Sequence, residues 1–353
     1  MILKRCFIVI ILMSFLPKAH PCDHLKEAKD LKIEHAKFLK IKEYKSGYFL
    51  EVLNSSGSVS NIYSSNINHQ CENVVKIKKT ERVGTFSTTH YLPIMMLGES
   101  KRLKGVSGKK YLYFNGGKES LIEMGERPSI ERIIKGNFDL IFGYSLKNNS
   151  KDIFYQLDKF NVPSINVLDY LEPNPLGRAE WIKMFGAIFN KYNKSEKIFR
   201  EIKKSYQEII FKNNYKGKIS VVVAQEYQGS WFVPGNKSYI KKMLSDLGVK
   251  VLPVVDSDNR LKVSREIILS SLKKADFWFP QSNQKSKKNL FKFTGLKEHS
   301  LSNLNVFNII RKINEKGAND YWQTGVVRPD LVANDLVNIF ENKHSSLIWY
   351  KRL

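Results

Sequence analysis

The side chains in this sequence whose types and spacing suit chemistry are suited to gripping a ligand rather than breaking a bond. Ser87-Thr88-Thr89-His90 follows a short apolar run and offers hydroxyl and imidazole donors side by side. The same four residues equally fit a helix N-cap followed by a surface histidine. Arg178 stands beside Glu180 and Trp181. Its guanidinium can clasp a carboxylate or catecholate oxygen through two parallel N–H bonds, or act as scaffold by pairing with Glu180 or stacking on Trp181. Tyr227 and Trp231 belong to a stretch broken by Gly229, Pro234 and Gly235, where flat rings can be presented to a large ligand. Core packing is the alternative for Trp231, and its loop setting argues against that. Tyr239 and Trp322 extend the aromatic set, the latter within Asn319-Asp320-Tyr321-Trp322-Gln323-Thr324-Gly325.

Motifs for catalysis are missing from the sequence. It contains no G-x-S-x-G elbow, P-loop, H-E-x-x-H pair or dinucleotide fingerprint. His69, His90 and His299 are too scattered to indicate a metal site, and Asp256-Ser257-Asp258-Asn259-Arg260 reads as a turn. The expectation is a binding protein with no catalytic residues, no metal of its own and no resident cofactor. An exported enzyme on a two-lobed scaffold, and a binding protein that senses or adheres without transporting, are the alternatives.

The elements that must position these residues alternate between strand and helix. In residues 81–173, strands are expected over Arg82–Phe86, Leu103–Val106, Phe138–Phe142 and Ser164–Leu168, with helices ending at Gly98, starting at Pro128, and spanning Ile153–Phe160. The rhythm restarts over residues 214–353: strands at Ile219–Val223, Val249–Leu252 and Ala275–Phe279, helices at Asn236–Leu247, from Ser264, and at Pro329–Phe340. Such alternation predicts two α/β lobes with mainly parallel, Rossmann-like sheets. Residues 281–294, rich in Lys, Ser and Asn, read as a solvated stretch.

Between the lobes lies residues 174–213, read as a bridging helical segment. Ile198, Ile202, Tyr206, Ile209 and Ile210 recur at a near-helical period, with Ser195 or Asn193 as the cap. Its length, roughly 28 Å at 1.5 Å per residue, is enough to link two small domains. Residues 22–80 read as a small β extension: a hairpin of Phe38–Tyr44 and Tyr48–Leu53 around Ser46-Gly47, with one more strand over Val74–Lys78. No chemistry is assigned to it.

The first residues set the compartment. Met1–Arg5 is basic at its end, Cys6–Leu16 is apolar but too short to span a bilayer, and Pro17 breaks the run. Residues 1–21 are read as an export signal, and the mature chain as extracytoplasmic. Cys22 and Cys71 then remain, an even pair suited to a disulfide in an oxidising space. Lipidation of Cys22 is the rival, although Ala19-His20-Pro21 is a poor lipobox. The net charge of +24 fits anionic partners, or a Lys-rich chain coated evenly on all sides. Nothing arginine-rich or zinc-patterned favours nucleic acid.

An internal echo links the lobes. PSIERIIKGNFDLIF and VSREIILSSLKKADFWF each carry a polar helix start, a Glu in the first turn, and an Asp leading a hydrophobic strand. Glu131 and Glu266 occupy the matching places, where the helix dipole alone also favours a carboxylate.

With the STTH loop, MMLG, KGVS, PLGRAEW and WFVPGNKSYIKKMLSDLG, these blocks resemble the periplasmic substrate-binding proteins of ABC importers for iron-siderophores, haem and cobalamin, over about residues 81–340. The resemblance implies a single rigid helix between the lobes, small hinge motions and a ligand cleft at the C-terminal strand ends. It also implies an inner-membrane permease as partner, onto whose arginines Glu131 and Glu266 would dock, and a monomeric, periplasmic carrier of a metal-chelate, most plainly a ferric-siderophore. Thr88, Thr89, His90, Arg178, Tyr227, Trp231, Tyr239 and Trp322 are then the candidate ligand contacts. Residues 281–320 match the family poorly.

Overall fold

The computed structural model describes residues 22–45, 47–65, 71, 73–113, 120–145, 152–301 and 303–353. The expected export signal (1–21), the turn residue Ser46 and His69 lie outside them.

Residues 22–80 form more than a hairpin. Strands β1 (Lys29–Leu31), β2 (Leu39–Tyr44), β3 (Gly47–Leu53), β4 (Val59–Ser64) and β5 (Val74–Lys76) make a sheet in sequence order, antiparallel except for its last pair. Successive side chains of a strand point to opposite faces, so β2 sends Leu39 and Ile41 inward and Lys40 out. Leu39, Ile41, Leu50, Val52 and Tyr63 share one apolar core with the first lobe. The extension is therefore packed into that lobe rather than hung from it. Cys22 and Cys71 are joined as a disulfide, their Cα atoms 5.0 Å apart.

The two lobes repeat one topology. The first contains β6 (Val83–Thr85), β7 (Leu103–Val106), β8 (Ile122–Glu123), β9 (Leu140–Gly143) and β10 (Ser164–Asn166), all parallel, in the order β10-β9-β6-β7-β8. In the second, β11 (Ser220–Val223) is followed by β12 (Gln225–Tyr227), β13 (Ser230–Val233), β14 (Lys250–Leu252), β15 (Leu261–Val263), β16 (Phe277–Phe279), β17 (Asn305–Asn308) and β18 (Lys351–Arg352). Its main sheet runs β14-β11-β16-β17-β18, with only the last pair antiparallel. Pairing β6 with β11, β7 with β14, β9 with β16 and β10 with β17 brings the two strand orders into register. Parallel neighbours require crossover connections, which is why the strand–helix alternation announced this arrangement.

Three details depart from expectation. β12, β13 and β15 form a small antiparallel sheet where a loop was expected. Residues 281–294 are not simply solvated: Lys287–Thr294 is a helix, capped by Ser286, that buries Leu290 and Phe291. Within 281–320, β17 completes the second sheet. Polar composition masked the helix, because only a few of its apolar residues face inward.

The bridge is three helices, Pro175–Glu180, Ile182–Ile188 and the 21-residue Tyr192–Lys212. At 1.5 Å per residue the last spans roughly 31 Å. Lys191 occupies its cap position; Ser195 lies inside the first turn, its hydroxyl donating to the Tyr192 carbonyl at 2.6 Å. Phe199 and Ile202 enter the core of the first lobe and Tyr206 enters that of the second, where its hydroxyl donates to Asp246 Oδ2 at 3.0 Å. One rod is thus shared by two cores. The lobes also touch directly: the Tyr113 amide donates to Gln323 Oε1 at 2.9 Å, and Asn314 Nδ2 to the Leu112 carbonyl at 3.3 Å.

Candidate functional site

The C-terminal ends of strands in both sheets open onto the space between the lobes. β6 leads into Ser87, β9 into Tyr144 and β10 toward Asp169 and Tyr170; β11 leads to Gln225 and β16 to Gln281. Chains diverge at such ends and leave a crevice. Here the main cavity has a volume of about 930 Å³. Phe38, Tyr170, Phe232, Tyr239 and Trp322 supply its rings, and Gln225, Gln281, Lys237 and Arg260 much of its polar lining. A side chamber of about 230 Å³ is lined by Ser87, Thr89, His90, Tyr144, Asp169 and Arg178. Tyr170 borders both. Volumes of this order hold a ligand of several hundred daltons and bury most of its surface.

The side chamber is organised around Asp169. Its Oδ2 receives the Arg178 Nε–H at 3.4 Å, and its Oδ1 lies 4.0 Å from His90 Nε2. The Arg178 guanidinium also lies over the Tyr239 ring, 5.5 Å from its centre, and Tyr239 and Tyr321 join hydroxyls at 3.0 Å. A polar relay therefore runs from first lobe to second. His90 is buried and hydrogen-bonded through Nδ1 to Thr85 Oγ1 at 2.8 Å. Burial outweighs the attraction of Asp169 and lowers its pKa to about 4, so the ring is neutral at neutral pH. Burial likewise raises the Tyr239 phenol above its ordinary value.

The sequence-predicted residues divide. Thr89, His90, Arg178, Tyr239 and Trp322 line the cleft or its side chamber. Thr88 is half-buried in the Thr88–His90 turn and lines neither; Ser87 caps that turn and reaches the chamber instead. His90 is not at the surface, as a plain capping turn would have left it. Arg178 pairs with Asp169 and Tyr239, not with Glu180 or Trp181.

Trp231 and Tyr227 do not belong to the cleft lining. Trp231 is 4% exposed in the core of the second lobe, its ring 6.1 Å from that of Trp278. The reason is strand alternation: β13 turns Trp231 and Val233 inward and leaves Phe232 to the cleft, with the Arg260 guanidinium 4.2 Å above its ring. Tyr227 ends β12 at the hairpin turn and is exposed to solvent.

Sequence reading missed Tyr144, Tyr170 and Phe232. Tyr144 and Tyr170 meet edge-on at 5.9 Å; Tyr144 stands directly beyond β9, a position that was readable, and Tyr170 lies in the Asp169–Leu171 turn after β10. It also missed the N-terminal sheet, whose Lys37, Phe38 and Ser55–Gly57 turn border the main cavity.

What brings that sheet to the cleft is the PLGRAEW stretch. The Glu180 carboxylate accepts the amides of Glu34, His35 and Ala36 at 2.7–3.1 Å, and the Lys183 ammonium at 2.9 Å. Glu180 and Lys183 are fully buried, and Lys183 also reaches Glu196 at 2.8 Å. Glu172 accepts the amides of Lys37 and Phe38 and the Trp181 Nε1–H. Gly177 permits the close approach: a Cβ there would stand 2.7 Å from the His35 carbonyl oxygen.

Glu131 and Glu266 are both solvent-exposed in the first turns of Ile130–Gly136 and Arg265–Leu272. Each helix leads into the equivalent strand of its lobe, β9 or β16. Among the described residues, no group of three or more His, Cys, Asp or Glu side chains is arranged to hold a metal ion, and no helix is long and apolar enough to cross a membrane.

Comparison with known proteins agrees with this architecture. Residues 123–300 match the family described as periplasmic binding protein. An uncharacterized lipoprotein of Methanocaldococcus jannaschii is 28% identical over 250 residues, 67% of this chain and 58% of its own. A second uncharacterized protein of that organism is 31% identical over 207 residues, 54% of this chain and 61% of its own. The chain thus spans less than two thirds of the length of the curated relatives it matches. Among solved structures, a possible iron-binding, periplasmic solute-binding protein of Staphylococcus epidermidis aligns with a TM-score of 0.59 at 18% identity, over 74% of this chain and 99% of its own. The periplasmic haem-binding protein HutB of Vibrio cholerae gives 0.58 at 13%, with the same coverage. The siderophore-binding protein FhuD of Vibrio cholerae, bound to Fe3+-Desferal, gives 0.52 at 15%, again over 74% and 99%. At these identities the likeness carries the fold.

Proposed function

Because the chain belongs to the periplasmic binding protein family, whose members work outside the cytoplasm, we propose that it is the solute-binding component of an ABC importer, capturing a metal-chelate between its lobes and delivering it to a membrane permease. A ferric-siderophore is the ligand class favoured, with haem and cobalamin as the alternatives to be tested beside it. The observation that carries this reading is the cleft: a ring-walled cavity of about 930 Å³ at the C-terminal strand ends of the second lobe, sharing Tyr170 with the chamber at those of the first. Tyr170, Tyr239 and Trp322 offer flat faces to catechol rings or a macrocycle, each stack contributing roughly 0.5–1.5 kcal/mol beyond area burial. The shared rod suits a carrier that closes by a small hinge motion.

Delivery falls to Glu131 and Glu266, exposed at equivalent positions of the two lobes. One exposed carboxylate contributes little to affinity, but two set on separate lobes fix the orientation of docking and speed encounter. Export by residues 1–21, and a Cys22–Cys71 disulfide tying the mature N-terminus to the sheet beside the first lobe, complete the proposal. Tryptophan fluorescence titration against ferric-siderophores, haemin and cobalamin tests it, since Trp322 lies in the cleft at 42% exposure and should report occupancy. Saturable quenching by at least one chelate is expected. No response to any of the three classes would remove the reading.

A further inference from the structure

The N-terminal sheet reaches the cleft at two places, and both are held by their own hydrogen bonds. Segment 34–38 is fastened by backbone amides to Glu180 and Glu172, which fixes the course of the chain at Lys37 independently of its side chain. The Asn54–Ser58 turn is closed by Asn54, whose side-chain oxygen accepts the amides of Ser56 and Ser58.

The charges bordering the main cavity are unequal. Among the described residues that border it, Lys37, Lys237 and Arg260 face a single carboxylate, Asp258, and that carboxylate is taken by Lys237 at 2.7 Å. Arg260 gives one N–H to Gln225 and stacks on Phe232. Lys37 has no carboxylate within ion-pair distance among the described residues. The surplus positive charge therefore sits on Arg260, in the second lobe, and on Lys37, in the N-terminal sheet.

We propose that the N-terminal sheet is a third wall of the cleft, and that Lys37 receives a negatively charged group of the bound chelate and so selects anionic over cationic chelates. This rests on the solute-binding reading above. A ligand whose rings lie on Tyr239 and Trp322 presents its remaining groups away from the second lobe, toward the side that Lys37 and the Ser55–Gly57 turn border. An ammonium is a compact point charge on a flexible stem, able to follow carboxylate or catecholate oxygens of differing position.

The test uses the exported chain with Lys37→Ala and Lys37→Glu, titrated with three probes: a ferric tris-catecholate and haemin, which are anions, and ferrioxamine B, whose free amine makes it a cation. Thermal unfolding of each variant checks that the sheet stays in place. Lys37→Glu should weaken the anionic probes at least tenfold, Lys37→Ala less, while ferrioxamine B is unchanged or bound more tightly. Affinities for the anions within twofold of wild type, equal weakening of all three probes, or wild-type preference for ferrioxamine B would each overturn the assignment while leaving solute binding intact. If no probe binds the wild-type chain, the solute-binding reading falls and this inference falls with it.

Discussion

Replacing His90 by Asn should flatten the acid limb of the stability profile. The wild-type imidazole is buried and its pKa is lowered to about 4 by desolvation, against about 6.5 in the unfolded chain. Above pH 6.5 both states hold it neutral and it contributes no pH dependence. As pH falls below 6.5 the unfolded chain takes up a proton that the native chain refuses, so native stability declines until the native ring also protonates near pH 4. At 1.36 kcal/mol per pKa unit the whole effect is about 3 kcal/mol, of which roughly 2 kcal/mol falls between pH 7 and pH 4.5. Asn keeps a partner for Thr85 and does not titrate. Urea unfolding of both proteins at pH 7.0, 5.5 and 4.5 provides the assay, and the difference between them cancels the titrating groups that His90 does not touch. Wild type should lose roughly 2 kcal/mol more than the variant across that range. Parallel profiles would mean that the ring protonates in place, and the account of His90 as a buried, neutral ring would be wrong.

Glu180→Ala should cost roughly 3–5 kcal/mol, because it leaves a buried ammonium and three amides without their shared acceptor. Limited proteolysis should then release residues 22–80 first. Trp231→Ala should lower stability by about 3–5 kcal/mol in thermal or urea unfolding, while chelate affinity at a permissive temperature stays within twofold. Tyr239→Leu and Trp322→Leu should each weaken chelate binding by roughly 2–10-fold in calorimetric titration, with little change in melting temperature for Trp322→Leu. Charge reversal of Glu131 and Glu266 together should leave chelate affinity intact and abolish uptake by cells; normal uptake would remove the docking assignment.

The lobes were legible because their signal is periodic. Apolar strands such as Ser220–Val223 alternate with amphipathic helices, and that rhythm admits few arrangements other than a parallel sheet. The rod was legible too, although its start was placed a few residues late, since Lys191 at the cap position gives no capping signal. Trp231 was misplaced for a physical reason: the Gly and Pro residues around it suggested a loop, whereas pairing of β13 with both β12 and β15 makes it a strand and alternation buries it. Contacts far apart in sequence were out of reach. Glu180 lies 144–146 residues from the amides it binds, and no local pattern predicts that a carboxylate in PLGRAEW fastens the N-terminal sheet. His90 was identified, but its burial depends on Phe185 and Asp169, contributed by other elements.

Hydrogen–deuterium exchange of the chain, with and without a saturating ferric chelate identified by the titrations, tests the central claim most directly. The account predicts slowed exchange on both sides of the cleft, in residues 87–90 and 169–173 of the first side and 232–240 and 258–260 of the second, with little change on the solvent face of the Tyr192–Lys212 rod. Protection confined to one lobe, or located away from the strand ends, would contradict a ligand gripped between two lobes.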